Sequence, residues 1–166
     1  MKNKLILVAV VVVGLASVAY AAYAQTLNVN GSGTAAGDWD VAITDITQTS
    51  ATGATENSAP TFDETSATFD VDLAYPGATA EYDVTVTNNG SIPAALSSIT
   101  DLTSLNASAP AYITYATSGV TNGTTLAANG GTNTLHVTVV WTGASAPATT
   151  GTTKPATITL DYDQDT

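Results

Sequence analysis

The chain has 166 residues, and its 3 lysines stand against 14 Asp and Glu residues, which gives a formal net charge of −11. The length suits a single domain with a real core. The acidic composition disfavours nucleic acid and anionic lipid headgroups as partners, because binding to either needs Lys and Arg. The chain has no cysteine, which excludes thiol catalysis, iron–sulfur clusters and cysteine-based zinc sites, and leaves burial and strand pairing to hold the fold.

The first 24 residues have the pattern of an export signal. Lys2 and Lys4 precede an apolar run over residues 5–24, which ends in Ala22-Tyr23-Ala24. This pattern predicts a hydrophobic signal helix and cleavage before Gln25. A retained anchor is the alternative, because about twenty apolar residues are enough to span a bilayer. No basic stop-transfer cluster follows the run, which favours its removal.

Residues 25–37 stand apart from the rest of the chain. The segment alternates at its start, with Leu27 and Val29 on one face, and a Gly-rich linker over residues 31–37 follows. Such a strand is either the first strand of the subunit's own sheet or a donor that completes the sheet of a neighbour. The second interpretation is physically sound, because an unpaired sheet edge is a template for another chain. The predicted donor strand consists of Gln25, Thr26, Leu27, Asn28, Val29 and Asn30.

Residues 38–166 predict an all-β domain. Apolar and polar side chains alternate with a period of two, and turn residues such as Asn88-Asn89-Gly90 separate the alternating segments. One apolar and one polar face per strand is typical of two antiparallel sheets packed as a β-sandwich. The low-complexity stretches Thr47–Thr65 and Gly143–Lys154 are predicted to be exposed loops. The predicted strands lie around residues 39–44, 68–73, 81–87, 96–99, 113–115, 135–142 and 157–162.

Three stretches carry a resemblance to a known family. The run over residues 22–33 leads into Gly37–Val41, a Pro-Gly turn and a strand occupy Tyr75–Ala94, and His136–Trp141 follows near the end. In this order they resemble the TasA/camelysin-type biofilm fibre proteins, and especially the archaeal bundling pilins related to them. The resemblance implies a jelly-roll-like sandwich that polymerises by donor-strand complementation. The donor in that family follows the signal peptide, which corresponds here to Gln25 to about Ser32.

The resemblance also implies a function. The protein would be a structural subunit of a pilus or biofilm fibre at the cell surface, and its partner would be another copy of itself. Contacts would be head-to-tail, with lateral bundling, and the membrane would be met only during export. Two alternatives stay open: a type IV-like pilin that keeps residues 5–24 as a core helix, and a membrane-tethered sandwich that binds surface glycans.

No residue pattern in the sequence predicts a catalytic site, so we expect a protein that is not an enzyme and needs no cofactor or metal. His136 is the only histidine, and it falls on the polar face of its strand. Asp161, Asp163 and Asp165 alternate without the glycine and distal Glu of a calcium loop, which favours a strand end. Four Asn-x-Ser/Thr sequons are candidate glycosylation sites: Asn30, Asn89, Asn106 and Asn122.

Overall fold

The structure is a computed structural model that describes Asn28, residues 30–143 and residues 154–165. The predicted signal helix over residues 1–24 lies outside the described residues. Residues Ala36–Thr166 form one compact unit, which is separate from the residues before Ala36. In the part of the chain that is described, no helix has the length and hydropathy needed to cross a membrane.

The regular structure of the described chain is mostly antiparallel β-strand, as predicted. Every strand pairing is antiparallel. The largest sheet has the order β1-β4-β8-β6, and the two smaller sheets have the orders β2-β3 and β7-β5-β9. The strands are β1 Val41–Thr52, β2 Ala54–Phe62, β3 Ala67–Leu73, β4 Thr79–Asn88, β5 Ala94–Ile99, β6 Ile113–Ser118, β7 Thr125–Leu126, β8 Gly131–Trp141 and β9 Leu160–Gln164, and α1 is the short helix Thr103–Ala107.

The core forms because alternate side chains of the large sheet point inward. On β4, Tyr82 is fully buried, and on β8 its cross-strand partner Val137 is 2% exposed. The smaller sheets contribute Leu96 from β5 and half-buried side chains from β3 and β9 to the same cluster. Small antiparallel sheets packed on the apolar face of a larger one are consistent with a β-sandwich.

The prediction of an exposed loop over Thr47–Thr65 is wrong. Strand β1 continues to Thr52, and β2 occupies Ala54–Phe62. Gly53 joins them with a φ of +61°, and a Cβ at this position would lie 2.3 Å from the ring of Tyr75. The Thr-rich composition that suggested a loop also has high β propensity, because the branched side chains suit a pleated strand.

A buried amide fixes the loop between β4 and β5. Asn88 is completely buried, and its Nδ2 donates to the carbonyls of Ile92 at 2.8 Å and Leu126 at 3.3 Å. Its Oδ1 accepts from the backbone N–H of Gly90 at 3.0 Å. The sequence indicated a turn here, and the structure shows that one side chain ties the turn to β7.

Candidate functional site

A groove opens between the two smaller sheets, over the apolar face of the large one. Its floor consists of Val84 and Val86 on β4 and Leu135 and Val137 on β8, each no more than 6% exposed. These residues face inward because they occupy alternate positions of two paired strands, with Val84 opposite Leu135. The floor therefore offers only hydrocarbon surface to whatever lies above it.

The walls of the groove are two strand edges. One wall is the start of β3, with Ala67 and Phe69, and the other is the extended segment over residues 156–162. Along that segment burial alternates, with Ala156, Ile158, Leu160 and Tyr162 half-buried and the residues between them exposed. The groove has a volume of about 570 Å³.

Neither wall is paired on its groove side within the described residues. Strand β3 pairs with β2, and β9 pairs with β5, and both stand at the end of their sheet. The two small sheets are thus the halves of a second layer that is interrupted between β3 and β9.

The amino-terminal end of the compact unit is tied to one end of the groove. The backbone N–H of Ser91 donates to the carbonyl of Asp38 at 2.9 Å, and that of Asn89 donates to the carbonyl of Asp40 at 2.8 Å. A Cβ on Gly90 would lie 2.4 Å from the Asp38 carbonyl, so this close approach needs glycine. We call this end, formed by residues 38–40 and 89–91, the exit pole, because the compact unit begins just before it, at Ala36.

The β2–β3 turn forms the rim of the groove beside β1. The carbonyl of Glu64 accepts from the backbone N–H of Ile43 at 2.9 Å. The carboxylate of Asp63 accepts from the backbone N–H and hydroxyl groups of Thr65 and Ser66 at 2.7–3.1 Å. The Thr65 backbone bond contributes most, followed by the bonds from Ser66, and together they hold the pKa of Asp63 below its usual range. The rim is therefore a rigid turn whose carboxylate is satisfied internally.

The predicted donor strand is described in part only. Asn28 and Asn30 are exposed and have no regular secondary structure. Gln25, Thr26, Leu27 and Val29 lie outside the described residues, so their role stays a prediction.

The four predicted glycosylation sites have different environments. Asn30, Asn89 and Asn122 are exposed. Asn106 instead makes two hydrogen bonds of 2.8 Å with the backbone of Tyr115, one from its Nδ2 to the carbonyl and one to its Oδ1 from the N–H. Glycosylation of Asn106 would break this pairing, so the geometry disfavours that site.

The remaining polar residues that the sequence singled out do not line the groove. His136 lies opposite Asp83 across β4 and β8, with Nδ1 and Oδ1 2.5 Å apart on the exposed face. Asp161 accepts from the hydroxyl of Ser98 at 2.5 Å within the β5–β9 pair. Over the described ranges, no three His, Cys, Asp or Glu residues are grouped so that they could hold a metal ion.

Sequence reasoning missed the environment of Lys154, which was predicted to belong to an exposed loop. Lys154 is 5% exposed. The prediction is therefore wrong at this residue. The phenol hydroxyl of Tyr115 donates to the backbone carbonyl of Lys154 at 2.6 Å. Burial raises the pKa of this phenol. The Lys154 ammonium donates to four backbone carbonyls at 2.8–3.2 Å, those of Asn106, Ser108, Pro110 and Ile113.

This carbonyl cage anchors the start of the groove's second wall. Lys154 lies two residues before the segment 156–162, and its four acceptors belong to α1, β6 and the chain between them. A buried cation is costly unless its donors are satisfied, and four carbonyl acceptors satisfy it here. The one available signal was that Lys154 is the only cation after residue 4 of an otherwise acidic chain, but a count of charges does not show where a side chain points.

Comparison with known proteins adds no further constraint, because no family model, curated protein or solved structure matches the chain. The functional argument therefore depends on the groove, its two edges and the exit pole.

Proposed function

We propose that this protein is the structural subunit of an extracellular filament, in which residues 25 to about 32 of one subunit complete the interrupted second layer of the next. The observation that carries the proposal is the apolar groove between the free edges of β3 and β9. An added strand in this position would pair with both edges and turn two small sheets into one layer of a jelly-roll-like sandwich.

The amino-terminal segment has the properties that the groove requires. Leu27 and Val29 share one face of an extended strand, and the groove floor consists of apolar side chains. Full burial of each side chain would contribute about 1.5–3 kcal/mol, and each main-chain hydrogen bond about 1 kcal/mol. The Gly-rich residues 31–37 separate this strand from β1, so it can reach beyond its own subunit.

Head-to-tail donation of one strand per subunit produces an open chain of subunits, because the contact is heterologous. This is the arrangement that the resemblance to biofilm fibre proteins and archaeal bundling pilins implies. The proposal includes removal of residues 1–24 at export and a place for the filament at the cell surface. The acidic surface, with its formal charge of −11 for the whole chain, keeps subunits soluble before assembly.

The test compares Leu27→Asp with Asn28→Asp in secreted protein whose terminus has been sequenced. Both variants add one carboxylate to the donor strand, but Leu27 belongs to the face that enters the groove and Asn28 to the opposite face. We expect a mature terminus at Gln25, no filaments from Leu27→Asp by electron microscopy, and normal filaments from Asn28→Asp. Normal filaments from both variants would refute the donor assignment, and a terminus near residue 5 would favour the type IV-like alternative.

A further inference from the structure

We propose that the groove accepts the donor strand in one polarity, antiparallel to β9 and parallel to β3, and that this polarity makes the assembly an open filament. The inference depends on the proposed function and goes beyond it, because donor-strand exchange alone does not fix the direction of the strand. In this arrangement the amino end of the donor lies at the exit pole of the accepting subunit, and its carboxyl end lies at the opposite end of the groove.

The directions of the two walls follow from bonds at their ends. The β2–β3 turn lies at the exit pole, since Glu64 is bonded to Ile43 near the start of β1, whereas Ala74 after β3 is bonded to Gly53 at the other end of β1. Strand β3 therefore runs away from the exit pole. The backbone N–H of Asp165 donates to the carbonyl of Pro93 at 2.9 Å, so β9 runs toward the exit pole, and the two walls are antiparallel to each other.

The attachment of the donor links its polarity to the type of assembly. The carboxyl end of the donor is joined through the linker to the exit pole of its own subunit. The donor could instead fill the groove of its own subunit, or be exchanged between two copies whose exit poles face each other. In either case the carboxyl end of the donor would lie at the exit pole of the groove that the donor fills. Both arrangements are closed, and in both the donor would be antiparallel to β3.

A donor shared between copies stacked head to tail has the opposite direction. The exit pole of the donating subunit then faces the far end of the accepting groove, so the linker reaches that end first. Traced from the linker back to its amino end, the donor continues toward the exit pole of the acceptor. In the amino-to-carboxyl direction it therefore runs away from that pole and is antiparallel to β9. The four residues 34–37, which follow Gly33 on the donor face, span at most about 14 Å, which is enough for a short bridge between adjacent subunits.

The sizes of the side chains favour this second direction. Period two places Leu27, Val29, Gly31 and Gly33 on one face of the donor. Farther from the exit pole than Ala67, the ring of Phe69 is stacked on Tyr82, with centroids 4.2 Å apart. Near the exit pole the β3 wall narrows to Ala67.

Alternate residues of a strand are about 6.6 Å apart, which is also the spacing of Ala67 and Phe69. With Val29 beside Ala67, the proposed polarity places Gly31 over the ring of Phe69 and Leu27 nearer the exit pole. With Val29 in the same place, the reverse polarity would bring Leu27 onto that ring and leave the smaller Gly31 near the exit pole. Overpacking and unfilled space both cost free energy, so the polarity with matched sizes is the more stable one.

Engineered cysteines test the polarity without interference, because the chain has none of its own. Thr26 and Asn30 report on the two ends of the donor, which are about 13 Å apart in an extended strand. Ser66 and Thr157 report on the two ends of the groove, at the exit pole and the far end, and both are exposed and line it. Full-length mature protein carrying one donor and one groove cysteine is assembled, treated with a bifunctional thiol reagent shorter than that distance, and separated under denaturing conditions.

We expect a ladder of covalent multimers from the pairs Thr26→Cys/Ser66→Cys and Asn30→Cys/Thr157→Cys, and monomers from the two crossed pairs. Multimers or dimers from the crossed pairs alone would overturn the polarity and leave donor exchange standing. Cross-links that join the two cysteines of the same chain only would overturn the proposed function as well, because each donor would then occupy the groove of its own subunit. Absence of cross-linking in all four variants would overturn both.

Discussion

A larger side chain inside the groove should stabilise the free subunit and weaken its assembly into filaments. Ala67 lines the groove at the start of β3, is half-buried and packs against the core cluster. The change Ala67→Leu adds three carbons. In the free subunit these carbons would cover apolar floor residues that the proposed donor covers only in the filament. At about 0.8 kcal/mol per carbon, we expect the isolated subunit to gain at most about 2.4 kcal/mol.

In the filament the same side chain competes with the donor strand. Overpacking costs about 1–3 kcal/mol, and the gain of the free subunit is lost at the same time. The two effects weaken assembly by about 3–5 kcal/mol, which raises the critical concentration for polymerisation roughly 100- to 4000-fold. Sedimentation of the mature protein over a concentration series measures this value, and thermal unfolding of the soluble fraction measures subunit stability.

The matched control is Thr61→Leu, which adds a leucine to the neighbouring strand of the same hairpin. Thr61 pairs with Thr68, is exposed, and does not line the groove. Its substitution should leave the critical concentration within a few-fold of the unsubstituted protein. If Ala67→Leu polymerises as readily as Thr61→Leu, the groove is not the acceptor and the reasoning is wrong.

Three further predictions concern the supports of the groove. Asn88→Ala removes three buried hydrogen bonds and should lower the free energy of unfolding by about 2–4 kcal/mol in urea, whereas Asn89→Ala at the adjacent exposed position should change it by less than about 0.5 kcal/mol. Lys154→Met leaves the carbonyl cage without donors and should cost a similar 2–4 kcal/mol; an unchanged unfolding midpoint would show that the cage does not stabilise the second wall. Because the β2–β3 turn lowers the folded-state pKa of Asp63, the stabilising effect of its carboxylate should be complete above pH 3.8 and lost as pH falls through that lowered pKa; an NMR titration that gives Asp63 an ordinary pKa would contradict this.

The alternation of side chains was sufficient to predict the strands that form the core. Tyr82, Val84 and Val86 on β4, and Leu135 and Val137 on β8, each follow a period of two and are buried. Burial on one face determines such strands, so the sequence carries their signal directly. Strands β1 and β2 failed this criterion over Thr47–Phe62 because most of their residues are exposed, and exposure removes the alternation on which the prediction depends.

The groove itself was not visible in the sequence. Its existence depends on which strands are neighbours, and β3 and β9 come together as facing edges from distant parts of the chain. The cage around Lys154 is hidden for a similar reason, since its four acceptors are backbone carbonyls, which every residue has. The donor segment stays a prediction that depends on two local features of residues 25–37, the alternation and the glycine linker.

Electron cryo-microscopy of filaments assembled from the mature protein tests most directly whether a neighbour completes the second layer. The account predicts a continuous strand of density between β3 and β9, with the side chains of Leu27 and Val29 above Val84 and Val86 and with the linker leading to an adjacent subunit. Density that leads from this strand back to the same subunit, or a filament in which the groove holds no strand, would contradict it.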